Sequence, residues 1–201
     1  MTATSSGWRR QAQWTPAVFV FVFVVPWLLL TSSSAGAQTD GDAPIARGPL
    51  VEIGVGAGTV DAWQAWFSGR GMWEFWNHLD VGLHVVGLPG GHSENRGFGF
   101  YAEARGHIGG VLQLGLFAGL GLGKLSRNDD ALPALSYNGS LGPTYEGGIG
   151  ARYRVSEFRF GLDAMLTAFT GTQSAPLSGT SSRSTRLGGA ILLMAGYDPL
   201  P

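Results

Sequence analysis

From Val111 to Gly123 the chain reads VLQLGLFAGLGLG, and its alternate positions carry two different chemistries. Leu112, Leu114, Leu116, Ala118, Leu120 and Leu122 fall on one parity. Val111, Gln113, Gly115, Phe117, Gly119, Gly121 and Gly123 fall on the other. Side chains alternate across a strand, so the period of two predicts a β-strand with a leucine face and a glycine-rich face. The glycines would make this stretch a poor helix.

The same period recurs seven more times. Strands are expected over Pro49–Thr59, Trp63–Trp76, Leu79–Gly87, Gly97–Ile108, Thr144–Val155, Phe158–Thr170 and Thr185–Tyr197, with Val111–Gly123 in the middle. Each carries an apolar parity, such as Val51, Ile53 and Val55 or Phe158, Phe160 and Leu162. The opposite parity is small or charged, such as Glu52, Gly54 and Gly56 or Arg159, Gly161 and Asp163. Tight turns are expected at Asn77, Gly109-Gly110 and Ser156, and longer loops at Leu88–Arg96, Lys124–Leu141 and Gly171–Ser184. The short turn at Asp61 breaks that alternation, standing where a longer loop belongs. Eight strands with short turns on one rim and longer loops on the other predict an all-β, eight-stranded antiparallel up-and-down barrel spanning a membrane.

Alternation alone does not say which face is buried, and a soluble lipocalin-like barrel would turn the apolar face inward. Three features favour lipid outside. Glycine is unfavourable on an exposed strand face but suits a narrow eight-stranded lumen. Charges of both signs recur on the polar parity: Glu52, Arg70, Glu74, Asp80, His84, Glu103, Arg105, Glu146, Arg152, Arg159, Asp163 and Arg186. In a narrow lumen they can neutralise one another, as buried charges must. Third, Trp63 and Trp73 share a face ten positions apart, about 33 Å along a strand and roughly 25 Å once tilted, the height of an apolar membrane band. With Phe98, Tyr145, Tyr153 and Tyr197 they are the candidate aromatic girdle. Trp66 and Trp76 take the other parity.

The first segment reads as an export signal. Arg9-Arg10 precedes the apolar run Ala17–Leu30, and Ala35-Gly36-Ala37 is an A-x-A cleavage site. The run is shorter than the roughly 18 residues of a spanning helix and contains Pro26. The expected organisation is a short signal helix within a cleavable signal peptide over 1–37, a lead over 38–48, a barrel over 49–197 and a tail over 198–201.

Composition narrows the chemistry. The 201 residues include 33 glycines and no cysteine, and only 13% are charged. No disulfide or thiolate site is possible. Formal net charge is −1, with no basic patch to suit nucleic acid. Histidines 78, 84, 92 and 107 show no recognised ligand spacing, so neither a metal nor a cofactor is expected. His92-Ser93-Glu94 puts a hydroxyl, an imidazole and an acid together, but neighbours in one loop rarely converge as a triad. The glycine run Gly54-Val55-Gly56-Ala57-Gly58 has no following helix to receive a phosphate. No catalytic residue is assigned.

Over about Pro49–Tyr197 the pattern resembles the small outer-membrane β-barrel family, the eight-stranded OmpA-like or OmpX-like barrels of Gram-negative bacteria. The resemblance implies an outer-membrane location, contact with lipid and lipopolysaccharide, and recognition by the barrel-assembly machinery. That machinery reads a terminal aromatic residue. Tyr197 has the right parity, but Asp198-Pro-Leu-Pro201 follows it. The function expected is a non-enzymatic, closed barrel with a structural or loop-presenting role. The alternatives are a lipid A deacylase or acyltransferase, which some small barrels of this kind are, and a narrow pore or small-molecule binder.

Overall fold

A computed structural model describes residues 47–75, 78–90, 94–129, 131–174 and 179–198. The expected signal peptide, its helix and its cleavage site lie outside the described residues, as do most of the lead and the Trp76–Asn77 turn.

Eight long strands form the wall: β1 (Arg47–Val60), β2 (Ala62–Phe75), β3 (Leu79–Leu88), β4 (Asn95–Gly109), β5 (Leu112–Arg127), β7 (Gly142–Val155), β8 (Phe158–Ser174) and β9 (Ser181–Tyr197). Each pairs antiparallel with the next, and β1 also pairs with β9, from Val51 opposite Tyr197 to Thr59 opposite Gly189. The ring therefore has no free edge. A two-residue strand, β6 (Asn138–Gly139), adds to β8 above the wall.

Strand existence and parity follow the sequence pattern, but the strands run further than expected on the long-loop side. Lys124 to Arg127, expected as loop, continue β5, and Tyr137 bridges back to Arg127. Likewise β8 runs to Ser174 and β9 starts at Ser181, so most of the expected Gly171–Ser184 loop is a hairpin ladder. Asn95 and Arg96 belong to β4. The connections on that rim are correspondingly reduced to about 89–94, 128–141 and 175–180.

Tight reversals sit where the backbone can take a left-handed conformation. Gly109 has φ +106°, and Asp61 and Ser156 have φ 66° and 56°. Asp is among the few non-glycine residues that tolerate that region. Glycine on the inner face also lets strands crowd together. A Cβ at Gly56 would lie 1.9 Å from the Ile191 carbonyl oxygen, and one at Gly121 would lie 1.6 Å from that of Phe100.

The wall is apolar outside and polar inside. Ile53, Leu83, Leu120, Ile149, Leu162 and Ile191 are exposed, while Glu52, His84, Glu103, Arg152 and Asp163 are buried. A soluble lipocalin-like barrel needs the reverse arrangement. An apolar belt encircling the whole wall far exceeds the patch a water-soluble monomer exposes, and suits hydrocarbon.

The charged lumen as candidate functional site

The lumen is filled in three tiers. Its middle is organised by Asp163 on β8. Asp163 accepts hydrogen bonds from Arg105 at 3.0 Å, from Arg152 at 2.6 and 2.9 Å, and from Arg70. Arg152 also forks onto Glu52 at 2.7 and 3.1 Å, and Arg70 Nε donates to Glu103 at 3.0 Å. These groups come from five strands, β1, β2, β4, β7 and β8, so the network spans the bore instead of following one wall. Phe117 enters between two guanidinium groups, and the Arg70 and Arg105 carbons each lie 4.9 Å from its ring centroid. The ring face adds cation–π attraction where the cations are desolvated. Phe117 stands on the glycine parity of β5, and an aromatic among glycines is the signal that would have marked it.

Beside this hub, His84 bonds Ser68 Oγ through Nε2 at 2.8 Å and Glu146 through Nδ1 at 2.7 Å, with Glu103 Oε2 3.1 Å from Nδ1. Ser68–His84–Glu146 has the connectivity of a nucleophile, base and orienting acid. Sequence reading passed over Ser68, which lies sixteen residues from His84 but one ladder away: Ser68 faces Val86, and Arg70 faces His84, across β2 and β3. All three side chains are buried. The tilted Tyr101 ring stands 5.8 Å from the imidazole, and Tyr101 itself bonds Thr167 at 2.9 Å.

At the turn end, Arg159 Nη2 donates to Glu74 at 2.8 Å and to Asp198 at 2.7 Å, and Arg154 lies 3.1 Å from Asp198. Asp198, the first residue of the expected tail, folds back into the bore, its amide donating to the Glu157 carbonyl at 2.8 Å. Lying past the last alternating strand, it carried no pattern to reveal it. Asp80 and His107 complete this tier.

The loop end is closed by a different chemistry. Val60, Trp66, Val86, Leu88, Leu125 and Phe169 form a buried apolar plug. Above it, Asn95 accepts from the Tyr137 hydroxyl at 2.5 Å, its amide N–H donates to Gln64 at 2.9 Å, and its side chain donates to the Val60 carbonyl. Burial pushes the Tyr137 phenol up to about 12, so it stays a neutral donor. Trp66, which did not suit the girdle, is this plug's largest piece.

Arg186 departs from the expected lumen set. It stands partly exposed at the loop rim, 3.3 Å from Asp61 and 4.8 Å over the Tyr137 ring. The bore there is already occupied by the plug. The remaining eleven expected charged groups are buried in the lumen.

Of the aromatic candidates, Trp63 and Phe98 lie on the outer face toward the loop rim, and Trp73, Tyr153 and Tyr197 toward the turn rim. Tyr145 is half-buried further down the wall. Phe158, 5.6 Å from Tyr197 and 6.5 Å from Phe160, adds to the turn-side group. His92 and Ser93 lie outside the described residues.

Among the described residues, two trios offer one possible metal-ligating atom per residue within 4.8 Å: His84, Glu103 and Glu146, and Glu74, Asp80 and His107. In the first, both imidazole nitrogens and the carboxylates are already bonded to protein.

No protein-family model and no curated protein matches the chain. Among solved structures it is similar to Neisserial surface protein A at 13% identity, with a TM-score of 0.47, covering 75% of this chain and 95% of that one. The N-terminal β-barrel domain of Pseudomonas aeruginosa OprF gives 18% identity, a TM-score of 0.45, and coverage of 76% and 98%. The outer membrane protein OprG from Pseudomonas aeruginosa gives 12% identity, a TM-score of 0.49, and coverage of 76% and 96%. These neighbours are small outer-membrane barrels, and the likeness is one of fold.

Proposed function

We propose that this chain is exported, cleaved after Ala37, and inserted in a Gram-negative outer membrane as a closed, non-enzymatic barrel. Its role is structural, or it presents the rim connections 89–94, 128–141 and 175–180 to the outside. Lipid and lipopolysaccharide are the partners its apolar exterior fits, and the assembly machinery is the partner for Tyr197. The observation that carries this reading is the continuous filling of the bore, ionic in its middle and apolar at Trp66. An eight-stranded barrel has room for side chains or for a channel, not for both.

The purified barrel, reconstituted in a planar bilayer, is expected to give no current steps above leak. Reproducible unitary conductance would overturn the closed-lumen reading and favour the narrow pore.

A second reading, a lipid-modifying hydrolase or acyltransferase, is supported by the Ser68–His84–Glu146 geometry. It requires substrate to reach an inward-pointing serine between the plug and the charged hub. A fluorophosphonate probe is expected to leave Ser68 unlabelled in the folded barrel. Stoichiometric labelling, lost in Ser68→Ala, would replace the first reading with the second.

A further inference from the structure

At the turn end of the lumen, Glu74, Asp80 and His107 gather around one small space. The register puts them there. Glu74 faces Asp80 across β2 and β3, Asp80 faces Arg105 across β3 and β4, and His107 is the next inward position beyond Arg105. Like charges set directly opposite repel, so this pairing needs a cation. Glu74 has one in Arg159, at 2.8 Å. Asp80 has none of comparable quality. It is 1% exposed, and its ion-pair contact among the described residues is His107, with 3.6 Å between Oδ1 and Nε2.

That distance is too long for a hydrogen bond. Asp80 Oδ1 and both ring nitrogens of His107 have no hydrogen-bond partner among the described residues, although His107 is only 3% exposed. Buried polar atoms are ordinarily satisfied, and leaving three together without partners is costly. The spacing does fit a shared ion. Two ligand atoms each about 2.1 Å from a tetrahedral metal stand about 3.4 Å apart. A cavity of about 10 Å³ adjoins Asp80 and His107, and Glu52, Gln113, Arg105, Arg152 and Arg159 also line it. That is about the room one water needs, enough for a water as fourth ligand.

We propose that Glu74, Asp80 and His107 bind one divalent transition-metal cation of the zinc class at the turn end of the lumen. One imidazole with two carboxylates is a donor set for such ions, whereas calcium and magnesium prefer oxygen throughout. The ion joins β2, β3 and β4 at the end of the barrel remote from the apolar plug. The site requires only the barrel fold, and it stands whether or not the lumen conducts.

The test uses the mature chain without a purification tag, folded in a zwitterionic detergent and titrated with Co²⁺ as a visible substitute for Zn²⁺. One ion per barrel is expected to bind with ligand-field absorption of low coordination number, displaced by Zn²⁺. Asp80→Asn is expected to weaken binding by at least about tenfold, since outer-sphere changes alone cost that much. His78→Ala is expected to leave binding unchanged: its exposed ring lies 6.1 Å from that of His107, outside the trio. No saturable binding, or wild-type affinity in folded Asp80→Asn, overturns the site. If Asp80→Asn does not fold, the wild-type barrel decides by NMR. Paramagnetic shifts from Co²⁺ centred on His107 and Asp80 support the proposal, and shifts centred on His78 or His92 overturn it.

Discussion

Replacing Asp163 with alanine is expected to destabilise the folded barrel by about 3–5 kcal/mol, the cost of breaking a buried ion pair from one side. Arg70, Arg105 and Arg152 all point hydrogen bonds at this carboxylate, and none of the three guanidinium groups reaches bulk solvent. Without it, Arg152 keeps Glu52 and Arg70 keeps Glu103, but Arg105 keeps only Glu103 Oε1 at 3.6 Å. The change would be read as the urea midpoint of the folded-to-unfolded band shift in detergent or lipid. Removing Arg105 as well, in Asp163→Ala with Arg105→Leu, is expected to recover part of the loss, because the orphaned charge goes with its partner. A loss under about 1 kcal/mol would mean the network is not the support it looks like, placing it with exposed pairs of little worth.

Leu193→Arg has the second-largest expected effect, about 2–4 kcal/mol of lost stability for a cation near the middle of the hydrocarbon. Leu193 lies on the outer face of β9, midway between Gly189, which pairs with Thr59, and Tyr197; it faces Val55 and Leu162 and is 63% exposed. The informative control is Leu135→Arg. Leu135 is 50% exposed on a short 3-10 turn, Pro133–Leu135, within the longest rim connection. Exposure alone predicts similar, small effects at both sites. Lipid around the wall predicts a large effect at Leu193 and almost none at Leu135. Equal tolerance at the two positions, measured as unfolding midpoints in lipid vesicles, would mean that water bathes the leucines.

Much of this was legible in the chain because a period of two is a direct consequence of strand geometry. Leu112 to Leu122 on one parity, with glycine opposite, specified both the strand and its two faces, and the same logic found the other seven. What the parity could not specify was where pairing stops. Lys124 to Arg127 and Ser181 to Ser184 read as loop because the apolar outer parity breaks off there, at Lys124 and Ser126 and at Ser181 and Arg183, but above the lipid band a hairpin needs no greasy side to hold its ladder. Parity also could not distinguish depth. Trp66, Arg70 and Arg186 all point inward or along the rim, but one seals the mouth, one sits in the hub and one lies against Asp61. Asp198 came from outside the pattern altogether. The hydrogen-bonded line through Ser68, His84 and Glu146 joins residues far apart in sequence, and only the register between β2 and β3 shows that the first two are neighbours.

The pairing of β1 with β9 has a consequence for biogenesis. A partly assembled wall, lacking its last hairpin partner, would turn two rows of bare amides and carbonyls toward hydrocarbon, at several kcal/mol for each unsatisfied group. No half-built version is stable in the bilayer, so the final stave must be in place, or its edges shielded by another protein, before the cylinder is released sideways into lipid. Entry into the membrane is thereby made all-or-none, with the seam between the first and last strands as its latch.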